Sequence, residues 1–149
     1  MSEQFYSNHS ALSALENIKK SSRVCHAYLI TGEEGLGKKT FARLFAKTLL
    51  CTQSETAACN NCQSCKKVDS LSHPDVELIR SKGGKSSIHI DAVRAIKSGA
   101  YVLPNEGRYR IYIIEDAQNM SVPATNALLK VLEEPPAHTL LILTAVSAD

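Results

Sequence analysis

The chain of 149 residues carries 17 Lys and Arg against 15 Asp and Glu, a net charge of +2, and is 44% hydrophobic with no Trp. That length suits one domain with a real core, and so weak a positive charge excludes a dedicated, strongly basic nucleic-acid module while permitting DNA contact. No apolar run approaches the length of a bilayer span and the opening Met-Ser-Glu-Gln-Phe-Tyr lacks the layout of a secretion signal, so a cytoplasmic chain is expected, whose five cysteines point to metal or buried thiols before disulfides.

Ala11, Leu12, Leu15 and Ile18 mark one face of a short amphipathic helix, with Ser10 as its N-cap and Lys19-Lys20 near its exit. Cys25 follows as a half-buried small hydrophobe. Ala27-Tyr-Leu-Ile-Thr31 reads as a strand, and Phe41, Leu44, Phe45 and Leu49 stand at helical spacing in a helix running to about Cys51.

Between strand and helix lies Gly32-Glu33-Glu34-Gly35-Leu36-Gly37-Lys38-Lys39-Thr40. Glycines there let backbone N–H groups curl into an anion nest at a helix N-terminus, and Lys38 is placed to reach the outer phosphates of a bound ATP. The phosphate-loop pattern G-x-x-x-x-G-K-[ST] is met at Gly32, Gly37 and Lys38 and broken at Lys39, where the metal-holding hydroxyl belongs. Thr40 comes one residue late, a rotation of about 100° round the helix. The expectation is a cradle that holds nucleotide poorly or without its metal; a Gly-rich turn with no ligand is the alternative.

Next come Cys51, Cys59, Cys62 and Cys65. Two overlapping C-x-x-C pairs and a thiol at the helix end can close a tetrahedral, structural Zn²⁺ site over about residues 51–66. An iron–sulfur cluster, disulfides or uncommitted thiols are the alternatives, and the fourth Cys followed by Pro of the bacterial cluster pattern is missing.

From Lys66 the chain reads as polar as far as His73-Pro74, then Asp75-Val-Glu-Leu-Ile79 alternates like a strand. Lys82 and Lys85 sit in a polar loop that could touch phosphate but reads first as a solvated turn. Asp91 is expected to cap a helix carrying Val93 and Ile96 and ending at Gly99, and Leu103 to Gly107 to turn the chain back. Arg110-Ile-Tyr-Ile-Ile114 is a buried-looking strand with Glu115 and Asp116 at its carboxyl end. In a phosphate-loop ATPase, acids there orient the metal's water shell and polarise the attacking water, and as strand neighbours they should face opposite ways. They could equally end a strand and begin a turn. Ser121 caps a helix with Thr125, Leu128, Leu129 and Leu132 on one face, Pro135-Pro136 stops it, and Thr139 to Thr144 forms a last core strand with Thr144 on the presumed ligand side.

Four stretches together resemble the clamp-loader ATPase domains of the AAA+ class, the bacterial DNA polymerase III subunits gamma/tau and delta-prime. They are His26-Ala-Tyr-Leu, the four-cysteine insert, Ile113-Ile-Glu-Asp-Ala-Gln-Asn-Met120, and Asn126 to Pro136. The resemblance implies a three-layer α/β P-loop fold over residues 1–149, with a mostly parallel sheet, the zinc insert after the helix of the phosphate loop, and a fifth strand and helical lid outside the four strands placed above. It implies other loader subunits, gamma/tau and delta, as partners, with the sliding clamp and primed DNA met through the assembled complex. Gamma/tau-like motors carry Thr where this chain has Lys39 and Asp-Glu where it has Glu115-Asp116, so the likeness is greater to delta-prime, a scaffold that presents an arginine to its neighbour. The rival expectation is a motor in which Lys38 holds phosphates, Glu115 and Asp116 flank metal and water, and Thr144 senses the γ-phosphate. With the fifth strand absent, the first strand should lie at the sheet edge and invite self-association.

Overall fold

A computed structural model describes residues 9–21, 23–81 and 87–146. In chain order they form α1 (His9–Ser21), β1 (Ala27–Thr31), α2 (Lys38–Leu50), α3 (Gln63–Asp69), β2 (Val76–Ile79), α4 (Ile90–Gly99), β3 (Arg110–Ile114), a 3-10 turn (Ala117–Asn119), α5 (Val122–Glu133) and β4 (Thr139–Ala145). The four strands pair in parallel in the order β1-β4-β3-β2, with Tyr112 of β3 opposite both Leu141 of β4 and Glu77 of β2.

Parallel strands need crossover helices, and those helices cover both faces of the sheet, which is why β3 and β4 are nearly unbroken apolar runs rather than alternating ones. On one face Ile111, Ile113, Leu140 and Ile142 pack with Leu44, Phe45 and Leu49 of α2 and Leu15 of α1. On the other, Tyr112, Ile114 and Leu141 pack with Val93 and Ile96 of α4 and Leu128 of α5. The result is the three-layer α/β arrangement expected from the sequence. It sets the ends of β1 and β3 on either side of β4, so the loops that follow them open into one crevice.

Local departures from the sequence reading have identifiable causes. Ser10 lies inside α1 rather than at its cap. Asp91 is likewise in the first turn of α4, where it pairs with Arg94 at 3.4 Å while His89 occupies the cap position. Ser121 does cap α5, its Oγ accepting from the Ala124 N–H at 3.2 Å. The inward face of α5 is Ala124, Leu128 and Val131, spaced four and three residues apart, and Leu129 lies off that stripe and is exposed. Cys25 is exposed, not half-buried: it precedes an edge strand, and its N–H donates to the Tyr28 hydroxyl. The stretch read as polar after the cysteines begins inside α3, whose Val68 is fully buried. Lys82 and Lys85 lie outside the described residues.

Candidate functional site

The loop from β1 to α2 has the backbone that the sequence asks for. Gly35 and Gly37 sit at φ 85° and 84°, a left-handed conformation that a side chain would strain. Gly37 is the N-cap of α2 and supplies no side chain, so no capping group covers the N–H donors of the first turn. Lys38 is buried, and its ammonium donates back to the Gly32 carbonyl across the loop. Glu33, Glu34 and Leu36 are exposed on its outer side, and Thr40 is half-buried one step past Lys39.

Opposite this loop stands the turn after β3. The strand stops at Ile114, so Glu115 and Asp116 belong to a turn, and Asp116 adopts φ 56° and ψ 59°. The alternation expected of strand neighbours therefore does not hold, and both carboxylates reach one cation. Lys39 Nζ lies 2.9 Å from Asp116 Oδ2 and 3.8 Å from Glu115 Oε2. Arg43, one turn along α2, meets the other Glu115 oxygen at 3.3 Å. The bond to Asp116 raises the Lys39 ammonium above its ordinary value, outweighing lost hydration. Glu115 is 2% exposed. Thr144 is fully buried, and its hydroxyl accepts the Asp116 N–H at 2.9 Å, fixing the turn from β4.

These residues fit a chain of phosphates in part and its usual divalent metal badly. Backbone donors, positive-φ glycines and Lys38 suit phosphate. A metal, however, needs oxygen donors. Position 39 brings an ammonium instead, and both nearby acids are already bonded to cations.

At the far end of α2 the four cysteines converge. Cys51 caps the helix, and its Sγ lies 4.0 Å from that of Cys62, as Cys59 Sγ does from Cys65 Sγ. All four sulfurs lie within 4.8 Å of one another. A tetrahedral ion with bonds of about 2.3 Å holds its sulfurs about 3.8 Å apart, so the set fits one metal ion with no ligand position open. Backbone N–H groups donate to the sulfurs, from Cys62 to Cys59 Sγ at 3.2 Å and from Cys59 to Cys51 Sγ at 3.4 Å. Burial works against the Cys62 thiolate, yet the N–H groups of Cys65 and Thr52 bring its thiol down to about 6, whereas burial pushes Cys65 up to about 12.

Sequence reasoning missed the residues that tie this module to the sheet. Lys47 of α2 is buried and pairs with Asp69 of α3 at 3.0 Å. Lys67 of α3 pairs with Glu106 at 2.7 Å. Asp75, 1% exposed, accepts N–H bonds from Asn105, from Glu106 at 2.8 Å and from Gly107 at 2.7 Å. Buried His73 accepts the Asp75 N–H on Nδ1, and burial lowers its pKa, so it stands neutral beside them. The signal for Asp75 was the Pro-Asn-Glu-Gly turn itself, whose N–H groups need an acceptor, but nothing local says which acid supplies it.

The sequence profile of one family, described as DNA polymerase III, delta subunit, matches residues 7–149. The chain is 35% identical to the DNA polymerase III subunit gamma of Buchnera aphidicola over 93% of its own length and 38% of that protein's. It is 36% identical to the DNA polymerase III subunit delta' of Bacillus subtilis, over 87% of its length and 39% of that protein's. In fold it is similar to a DNA polymerase III gamma subunit-related protein of Thermotoga maritima, with a TM-score of 0.61 at 23% identity, covering 91% of this chain and 39% of that one. The chain thus spans about two fifths of the length of these two relatives. A four-cysteine module, a phosphate loop facing two acids and a match over nearly its whole length agree: this chain belongs to the DNA polymerase III delta subunit family.

Proposed function

We propose that this chain is an ATPase-like domain of a clamp-loader subunit of bacterial DNA polymerase III, serving DNA replication in the cytoplasm as a non-hydrolysing or weakly hydrolysing scaffold, as delta-prime would. Its partners are the other loader subunits, gamma/tau and delta, and it meets the sliding clamp and primed DNA through the assembled ring. The observation that carries this reading is the Lys39 ammonium 2.9 Å from Asp116 and 3.8 Å from Glu115.

Hydrolysis by a phosphate-loop enzyme is positioning plus charge stabilisation, so acids engaged by fixed cations are poor at orienting a metal or a water. Unit charges 4 Å apart interact by about 1 kcal/mol in water and about 4 kcal/mol near a protein surface, so a divalent ion brought beside Lys39 is repelled. Thr144 fixes the turn that carries these acids, its hydroxyl accepting the Asp116 N–H. We assign zinc to the cysteine module as a structural ion, because four sulfurs converging on one point suit a single ion better than a cluster of several irons.

The competing reading is a gamma/tau-like motor, favoured by the intact Gly32, Gly37 and Lys38. In the full-length loader ring, Lys38→Ala in this subunit alone separates the two. Clamp loading that continues nearly unchanged supports the scaffold; loss of loading means a motor.

A further inference from the structure

The misfit at position 39 concerns the metal rather than the nucleotide. Two cations on one face of α2, Lys39 and Arg43, are matched to two acids on the turn after β3. Those acids cannot swing aside easily, because Glu115 is 2% exposed and Thr144 holds the Asp116 N–H. Lys38, by contrast, spends its ammonium on a single backbone carbonyl, a contact that a phosphate oxygen can replace with a stronger, charge-assisted one. Lys39 and Arg43 thus face the two acids, with Arg80 close enough to be felt by Lys39, while among the described residues the Lys38 ammonium meets only the Gly32 carbonyl. Glu33 and Glu34 are exposed on the outside of the loop, where solvent screens them.

We propose that this loop takes a nucleoside di- or triphosphate without a divalent cation, Lys39 supplying as a fixed side chain positive charge that Mg²⁺ would otherwise bring. The inference rests on reading the loop as a nucleotide cradle and goes beyond the scaffold role, which needs no bound nucleotide.

Calorimetric titration of the full-length protein with ADP and with ATP, in excess Mg²⁺ and in EDTA, tests it. The expected dissociation constants agree within about threefold between the two conditions, and Lys39→Thr, which restores the hydroxyl, makes binding at least about tenfold tighter in Mg²⁺ than in EDTA. Lys39 is half-exposed, so the fold tolerates the change. Lys39→Gln, which removes the charge and restores no ligand, should weaken binding in both conditions. A larger Mg²⁺ dependence in the wild type, indifference of Lys39→Thr to Mg²⁺, unchanged binding by Lys39→Gln, or no nucleotide binding in either condition overturns the proposal and leaves the scaffold standing. Brisk turnover in Mg²⁺ overturns the scaffold itself.

Discussion

Replacing Asp75 by Ala removes one carboxylate and strands three backbone donors. Its bonds to Glu106 and Gly107 are 2.8 and 2.7 Å, with Asn105 donating as well, and hydrogen bonds to a charged group contribute about 1.5–3 kcal/mol each. A simple sum overshoots, because Asn105 and Glu106 lie on exposed residues whose N–H groups can turn to water once released. Gly107 cannot retreat so easily: a side chain there would meet Leu50, which shows how closely the loop is seated on α2. The expected loss is therefore about 3 kcal/mol, a large fraction of the roughly 5–15 kcal/mol that holds a domain together. Urea denaturation of the metal-loaded protein should show the midpoint falling by about 1–2 M. Despite the opposing effect of burial, the three N–H bonds lower the pKa of Asp75 in the folded protein. The contribution is thus complete above the unfolded carboxylate value, about 3.9, and is lost as pH falls through the lower folded value, so wild type and variant should converge in strong acid. A variant within about 0.5 kcal/mol of wild type at pH 7 would refute the assignment of Asp75 as the anchor of this loop.

Elemental analysis should find one zinc per chain in a colourless protein; visible absorbance from iron and sulfur would contradict the assignment, and Cys62→Ser should lose the metal together with the helicity of α3. Asp69→Ala should cost about 1–2 kcal/mol, less than the ~3–5 kcal/mol of a fully buried pair, because Lys47 keeps a 5% exposed side chain while its partner is 56% exposed. No change in the chemical denaturation midpoint would remove that link between α2 and α3. The 149-residue chain should self-associate, since β1 pairs only with β4 among the described residues and Leu29 is 49% exposed on it. Light scattering that finds a monodisperse monomer at high concentration would count against this.

Much of the layout was legible locally. The strand at 110–114 was readable because both faces of a parallel sheet are covered at its centre, which leaves an unbroken apolar run, and the strand at 27–31 because its apolar run leads straight into the glycine-rich loop, although its edge position leaves Leu29 exposed. The cysteine set was readable because ligand spacing for one ion is short-range. Helix α3 was missed because its buried residues, Cys65 and Val68, are too few over seven residues to show a period. Asp91 looked like a cap from composition, yet the helix begins one residue earlier, a boundary that side-chain preference alone does not fix.

By itself the sequence determined the phosphate-loop backbone, the four-cysteine module and the substitution at position 39, because each depends on residue identity at a fixed short spacing. Only the tertiary structure decided what Lys39 does. Parallel pairing through β4 brings α2 and the turn after β3, some seventy residues apart in the chain, to within 2.9 Å, and the left-handed backbone at Asp116 turns both acids onto one ammonium. That convergence is set by sheet order and by one backbone angle, and neither is encoded in the residues immediately around Lys39.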